Sequence, residues 1–230
     1  MFDGLGKFWK NYHSQFLEGV GTTIYISIMG ILIGFLFGLI IGYLRNVHIS
    51  RKDNKLTIVI KRSIKYILDG YISFFRFTPF IAQLFFAWFG LFLASGVSRV
   101  TIAIVVLALN TAAFHAKVIE GGIGSINEGQ YLAGRSLGMS HRRTFISIIM
   151  PQAFKNMISG FSNEWVNVIK ATSVLTVIGI SDLMDKIKKG ANSLAEYSGP
   201  YFLSLIAYFI ICFIFMMVLK GFKHFLERRW

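Results

Sequence analysis

Seven polar side chains stand in stretches otherwise fit for lipid: Gln83, Asn110, His115, Glu164, Lys170, Thr172 and Ser173. Polar groups at membrane depth are expensive, so they mark either a path for a polar solute or hydrogen bonds between helices. Of the seven, Glu164 and Lys170 carry full charge. Six residues apart, they fall on different helix faces and do not neutralise each other directly. In a low-dielectric surrounding Glu164 suits an ammonium and Lys170 a carboxylate, the two ends of a zwitterion. The plainer alternative puts both near opposite membrane edges, where their stems snorkel toward water. No nucleophile and base, and no paired acid and base, stand together in these stretches, which argues against an intramembrane enzyme. The five histidines show no metal-ligand spacing, and the single Cys212 can form no disulfide within the chain.

A second constellation is polar and contiguous. From Gly121 to Phe145 the chain reads GGIGSINEGQYLAGRSLGMSHRRTF, too long a connection to be idle. Ser136 to Gly138 reads as a helix end, with Gly138 free to take positive φ, and Ser140 as the cap of a following helix over 141–150. Two short helices meeting at a glycine, with small Ala133 and Gly134 beside Arg135, form a surface that could enter a groove on a soluble partner. Gly129 and Gln130 open this stretch. Just ahead of it, Lys117 and Glu120 lie three apart on a helix, the spacing of a local ion pair.

The elements that position these residues must be membrane helices. The 230 residues are 54% hydrophobic and 16% aromatic, more apolar surface than a domain of this size hides in its own core. Charge-free or nearly charge-free runs of the length needed to cross a bilayer lie at 21–44, 77–94, 100–116 and 200–219, and a fifth, interrupted by Glu164 and Lys170, at 157–180. The predicted fold is therefore an all-α integral membrane protein of about five transmembrane helices in one domain, 1–230, with spans near 20–44, 66–94, 100–119, 157–180 and 200–220. A four-span alternative, in which 157–180 does not cross, leaves the basic tail on the wrong side. No signal peptide is expected, because the first apolar run is too long for one and lacks a small-residue cleavage site.

The formal net charge of +13 sits in short segments beside the apolar runs, the mark of topology and not of nucleic-acid binding. Arg45, Arg51, Lys52, Lys55, Lys61, Arg62 and Lys65 follow the first run, and Lys220, Lys223, Arg228 and Arg229 follow the last. Both clusters belong in the cytoplasm, which places the N-terminus outside, the C-terminus inside and the 121–150 loop in the cytoplasm. Lys186, Lys188 and Lys189 fit less well outside, although Asp182, Asp185 and Glu196 offset them. Gly30, Gly34, Gly38 and Gly42 recur every fourth residue, a stripe for close helix packing in this chain or with a second copy. Trp9, Tyr12, Trp88 and Trp230 stand where interfacial anchors belong.

The 121–150 loop resembles the cytoplasmic coupling loop of bacterial importers of the ATP-binding cassette class. The family pattern is Glu-Ala-Ala, three residues, Gly, nine residues, Ile, one residue, Leu-Pro. Here it falls on Leu132, Ala133, Gly134, Gly138, Ile148, Met150 and Pro151 without a gap, flanked by Gly129, Gln130, Gln152 and Ala153 as in permeases for polar amino acids. Arg76-Phe77-Thr78-Pro79 is similar to the family's Arg-Gly-Thr-Pro, 109–123 to its Leu-Asn-Ser-Ala-Ala-Tyr segment, and Lys170-Ala171-Thr172-Ser173 to its Lys-Asp-Thr-Ser. The departures are Leu132 for the opening glutamate, Phe77 for glycine, Ala171 for aspartate, and Lys117 and Glu120 exchanged in sign.

The resemblance implies a permease subunit in a bacterial cytoplasmic membrane, carrying a polar amino acid and catalysing no reaction itself. It implies a separate cytoplasmic ATPase dimer that binds ATP and Mg, a second permease copy or a sister chain, and an extracytoplasmic binding protein. No phosphate-binding G-x-x-x-x-G-K-[ST] motif occurs in the chain, so no nucleotide or other cofactor is expected on it. An uncoupled scaffold or channel, or an importer of another solute, remains the alternative. The expected path residues are Gln83, Asn110, Glu164, Lys170, Thr172 and Ser173, and the expected coupling residues Gly129, Gln130, Ala133, Gly134, Arg135 and Gly138.

Overall fold

The computed structural model describes residues 2–45 and 53–229, with side chains as far as Phe225. Arg51, Lys52 and Trp230 lie outside the described residues, as do the side chains of Arg228 and Arg229. Among the described residues the elements are helical throughout. The first is α1 (Phe2–Arg45), then α2 (Lys55–Phe77), α3 (Phe80–Phe85) running into a π-helical stretch to Phe92, and α4 (Arg99–Gly124). After these come α5 (Glu128–Ser136), α6 (His141–Thr144) with a π-helical turn to Ile149, and α7 (Met150–Ala171) with a 3₁₀ stretch to Ile178. Last are α8 (Leu183–Leu194) and α9 (Ser198–Arg229).

Three helices are individually long and apolar enough to cross a membrane: α1, α4 and α9. Two more apolar stretches are interrupted, one at Thr78-Pro79 and one between Ile178 and Leu183, and counting each as one crossing gives five. The span expected over 66–94 holds the first of these interruptions. The break at 78–79 has a local cause, because proline disfavours helical backbone in the residue before it. Pro79 then serves as N-cap of α3 in extended conformation, and its carbonyl accepts the Ala82 amide at 3.0 Å. The π-helical turn before α7 likewise precedes Pro151, which has no N–H to continue the regular ladder.

The chain divides into two compact units. The first comprises residues 1–33, 78–108 and 165–218. Its main core packs Ile26, Leu84, Trp88, Ala103, Leu107, Leu175 and Ile180 together. A second cluster joins Phe8 and Phe16 of α1 to Leu183 and Ile187 of α8 and Ala207 of α9. Helix α8 buries Leu183, Ile187, Gly190 and Ala191, the spacing of one helical face. Its lysines are largely paired, Lys186 with Glu18 at 2.9 Å and Lys189 with Asp185 at 2.6 Å. That pairing leaves this segment much less positive than its lysine count suggests.

The second unit comprises residues 34–77, 109–164 and 219–230. His115 of α4 is fully buried, edge-on to Phe35 at 5.7 Å and to Phe161 at 5.2 Å. The glycine stripe of α1 packs on α4 of the same chain. In the first unit Gly30 abuts Leu107, and in the second Gly38 abuts Ala112 and His115 and Gly42 abuts Ile119. A Cβ on Gly38 would stand 2.5 Å from that of His115, so only glycine permits this approach.

Candidate translocation and coupling sites

The two units share out the polar candidates. Gln83, Lys170, Thr172 and Ser173 belong to the first, and Asn110 and Glu164 to the second. Gln83 folds back across the α2–α3 break, its Nε2 donating to Thr78 Oγ1 at 2.8 Å and to the Thr78 carbonyl at 3.1 Å. Thr172 Oγ1 donates to the Ile169 carbonyl and Ser173 Oγ to the Lys170 carbonyl, both at 2.7 Å. Asn110 Nδ2 donates to the Phe75 carbonyl at 3.3 Å, beside Tyr71, whose hydroxyl donates to the Leu109 carbonyl at 2.5 Å. Four of the six candidates thus spend a donor on nearby backbone. Glu164 is half-buried and Lys170 exposed at the end of α7, and these two remain the charged members of the set.

The segment expected to couple to an ATPase is a capped helix-turn-helix of α5 and α6. The Asn127 side chain accepts the Gly129 amide at 2.7 Å and caps α5. At the other end Gly138 adopts φ +77°, and Met139 N–H donates to the Gly134 carbonyl at 3.1 Å, closing the helix in the left-handed manner glycine favours. Arg135 Nη1 then reaches the Met139 carbonyl at 2.6 Å, and the Ser140 hydroxyl accepts the Arg143 amide at 3.3 Å to cap α6. Gly134 packs on the second arm, where an added Cβ would sit 2.6 Å from Thr144 Cγ2 and 3.0 Å from Ile148 Cδ1. Ala133 and Arg135 face outward with Leu132 and Leu137. Gln130 meets Gln152 at 3.4 Å on the wall of a 350 Å³ polar cavity completed by Ser125, Asn127, Lys155 and Asn156.

Lys117 and Glu120 form a hydrogen-bonded ion pair, but not an isolated one. The Glu120 carboxylate is shared with Arg45 at the end of α1, and Arg45 also holds Asp69 of α2. Two cations and two anions therefore join α1, α2 and α4 of the second unit. Sequence reasoning placed Arg45 in the basic cluster without finding its partners, since 24 and 75 residues separate it from Asp69 and Glu120 and no helical spacing relates them. Also missed was Asp182, which is fully buried and caps α8 by accepting the Asp185 amide at 3.0 Å. Tyr208 brings its buried hydroxyl to this carboxylate and to Thr23 and Thr172. Among the described residues no cluster of metal-ligating side chains occurs.

Residues 56–230, three quarters of the chain and the whole of this loop, match the family described as "Binding-protein-dependent transport system inner membrane component". The chain belongs to that family. It is thus a multi-pass permease subunit of an inner membrane and not a catalyst. The permease is 29% identical over 207 residues to the arginine transport system permease protein ArtQ of Bacillus subtilis, covering 89% of each chain. It is 30% identical over 224 residues to the L-cystine transport system permease protein TcyB of the same organism, covering 96% of this chain and 90% of that one. To the glutamine transport system permease protein GlnP of Escherichia coli K12 it is 30% identical over 217 residues, covering 93% and 91%.

Among solved structures, the permease superposes on one described as an amino acid ABC transporter with histidines, with TM-score 0.82 and 29% identity over 93% of this chain and 94% of that chain. It shares the fold of a chain of the MetNI methionine ABC transporter at TM-score 0.74 and 18% identity.

Proposed function

We propose that the chain forms the translocation path for a polar amino acid across a bacterial cytoplasmic membrane. The observation that carries this is joint: full-length likeness to permeases named for arginine, cystine and glutamine, and a coupling hairpin whose caps and glycine turn are complete. Five crossings near 20–44, 66–94, 100–119, 157–180 and 200–220 put the N-terminus outside and the hairpin in the cytoplasm. Two copies, or this chain with a sister, enclose the path. A cytoplasmic ATPase dimer, holding ATP and Mg, engages Gly129, Gln130, Ala133, Gly134, Arg135 and Gly138, and an extracytoplasmic binding protein delivers the solute.

Along the path, Glu164 supplies a counter-charge for the substrate ammonium and Lys170 one for its carboxylate. Gln83, Asn110, Thr172 and Ser173 shape the walls as polar groups at membrane depth.

The test is uptake of labelled common amino acids and cystine in cells lacking the gene, complemented with the native chain or with Gly138→Glu. Restoration of one narrow substrate class by the native chain, and not by a membrane-inserted Gly138→Glu variant, is the expected result. Uptake indifferent to both removes amino acid import.

A further inference from the structure

Ser125, Asn127, Gln130, Gln152, Lys155 and Asn156 line the 350 Å³ cavity of the second unit, with Ile126 its one apolar lining residue. That volume suits a small solute, since ligand sites begin at about 300 Å³. The bonds within the lining decide what is left for a ligand. Asn156 Nδ2 donates to Ser125 Oγ at 2.7 Å, and that hydroxyl donates to the Gly122 carbonyl at 2.8 Å. Asn127 Oδ1 is taken by the Gly129 amide, and Gln130 Oε1 by Gln152 Nε2, which also donates to the Ile148 carbonyl at 2.9 Å. The remaining groups are of two kinds. Asn127 Nδ2, Gln130 Nε2 and the half-buried Lys155 ammonium are donors, and among the described residues Lys155 has no ion-pair partner. Gln152 Oε1 and Asn156 Oδ1 are acceptors.

We propose that this cavity is a second, regulatory site that takes a free α-amino acid, its carboxylate against Lys155, Asn127 and Gln130 and its ammonium against the amide oxygens of Gln152 and Asn156. The inference rests on the importer reading above and adds a site that shares no residue with the path. The single lysine fixes the anionic end through a charge-assisted contact. An anion alone, such as phosphate, would leave both amide oxygens facing negative charge, and a divalent cation finds no carboxylate in the lining. A lipid headgroup needs an apolar track for its chains, and the lining offers only Ile126. The walls come from two segments, 125–130 at the opening of the hairpin and 152–156 at the start of α7. A bound amino acid bridges them and favours the arrangement in which they lie together. The internal pool of the solute thereby slows its own uptake.

The first measurement is backbone hydrogen exchange of the intact purified permease with the common amino acids added singly. At least one should slow exchange in 125–130 and 152–156, whereas its carboxamide, inorganic phosphate and phosphatidylethanolamine should not. Lys155→Met should weaken this protection about tenfold and Lys155→Arg retain it, with both eluting as the native chain does. Glu164→Gln alters the path and should leave the protection intact. Protection by no amino acid, equal protection by phosphate or the lipid, survival of protection in Lys155→Met, or its loss in Glu164→Gln overturns the proposal. In proteoliposomes holding the permease, the ATPase whose co-expression restores uptake, and ATP, the same amino acid loaded inside should lower initial uptake about fivefold. The ratio of loaded to empty rates should return toward one in Lys155→Met, and an unchanged native rate overturns the regulatory role. A chain that shows the protection yet imports no amino acid removes the importer reading and keeps the site, so the two failures are distinguishable.

Discussion

Thr23 and Leu183, 160 residues apart, share a buried hydrogen bond in which the Leu183 amide donates to Thr23 Oγ1 at 3.1 Å. The bond satisfies one of the free N–H groups that open α8 and pins that helix to α1. Thr23→Val keeps the shape and removes the acceptor, so it leaves a buried amide unpaired. The expected loss is about 1–3 kcal/mol, measured as a lower unfolding midpoint in detergent, with Thr23→Ser close to native.

Asp182 gives the neighbouring contact. Asp182→Ala loses the cap on the Asp185 amide and should cost about 1 kcal/mol. Asp182→Asn keeps a capping oxygen and places an amide beside the Tyr208 hydroxyl, with no charge to bury. Thermal unfolding of the three proteins should therefore rank native and Asp182→Asn together, above Asp182→Ala.

The ion-pair cluster distinguishes a local pair from a network. If Lys117 and Glu120 were an isolated pair, exchanging them by Lys117→Glu with Glu120→Lys would be nearly neutral. Because Glu120 also meets Arg45, the exchange sets a lysine against Arg45 and should fail to restore stability. Glu120→Gln alone should cost less than about 1 kcal/mol, since these groups are partly exposed and screened. Unfolding midpoints at low and high salt check both outcomes, and only the exchanged protein should gain from added salt.

Two glycines of the hairpin should fail for different reasons. Gly138→Ala meets open space but must hold φ +77°, a conformational cost of about 1–2 kcal/mol. Gly134→Ala collides with Thr144 Cγ2, so adding Thr144→Ser should recover part of the lost uptake. The same Thr144→Ser change should do nothing for Gly138→Ala. Uptake rates of the four variants, normalised to membrane yield, decide it.

Much of the loop was legible in the sequence because its signals are local. The Gly138 turn and the Ser140 cap act within a few residues, where side-chain type and backbone preference nearly coincide. The Lys117–Glu120 pair was legible too, since i,i+3 neighbours on a helix meet whatever the rest of the chain does. Gln83, read as a group at membrane depth, also donates to Thr78 beside the backbone break at Pro79, a contact that no helical periodicity announces.

The sequence by itself determined the class of the protein: apolar runs long enough for lipid, helices because lipid leaves backbone groups no other partner, and a polar loop in family register. Tertiary structure alone decided that the glycine stripe of α1 meets α4 of its own chain, that Arg45 completes the charge cluster, and that Asp182 is buried. The physical reason is separation along the chain. Helical periodicity relates residues up to about one turn apart, whereas these partners lie 24 to 160 residues distant and come together only through the path the chain takes between them.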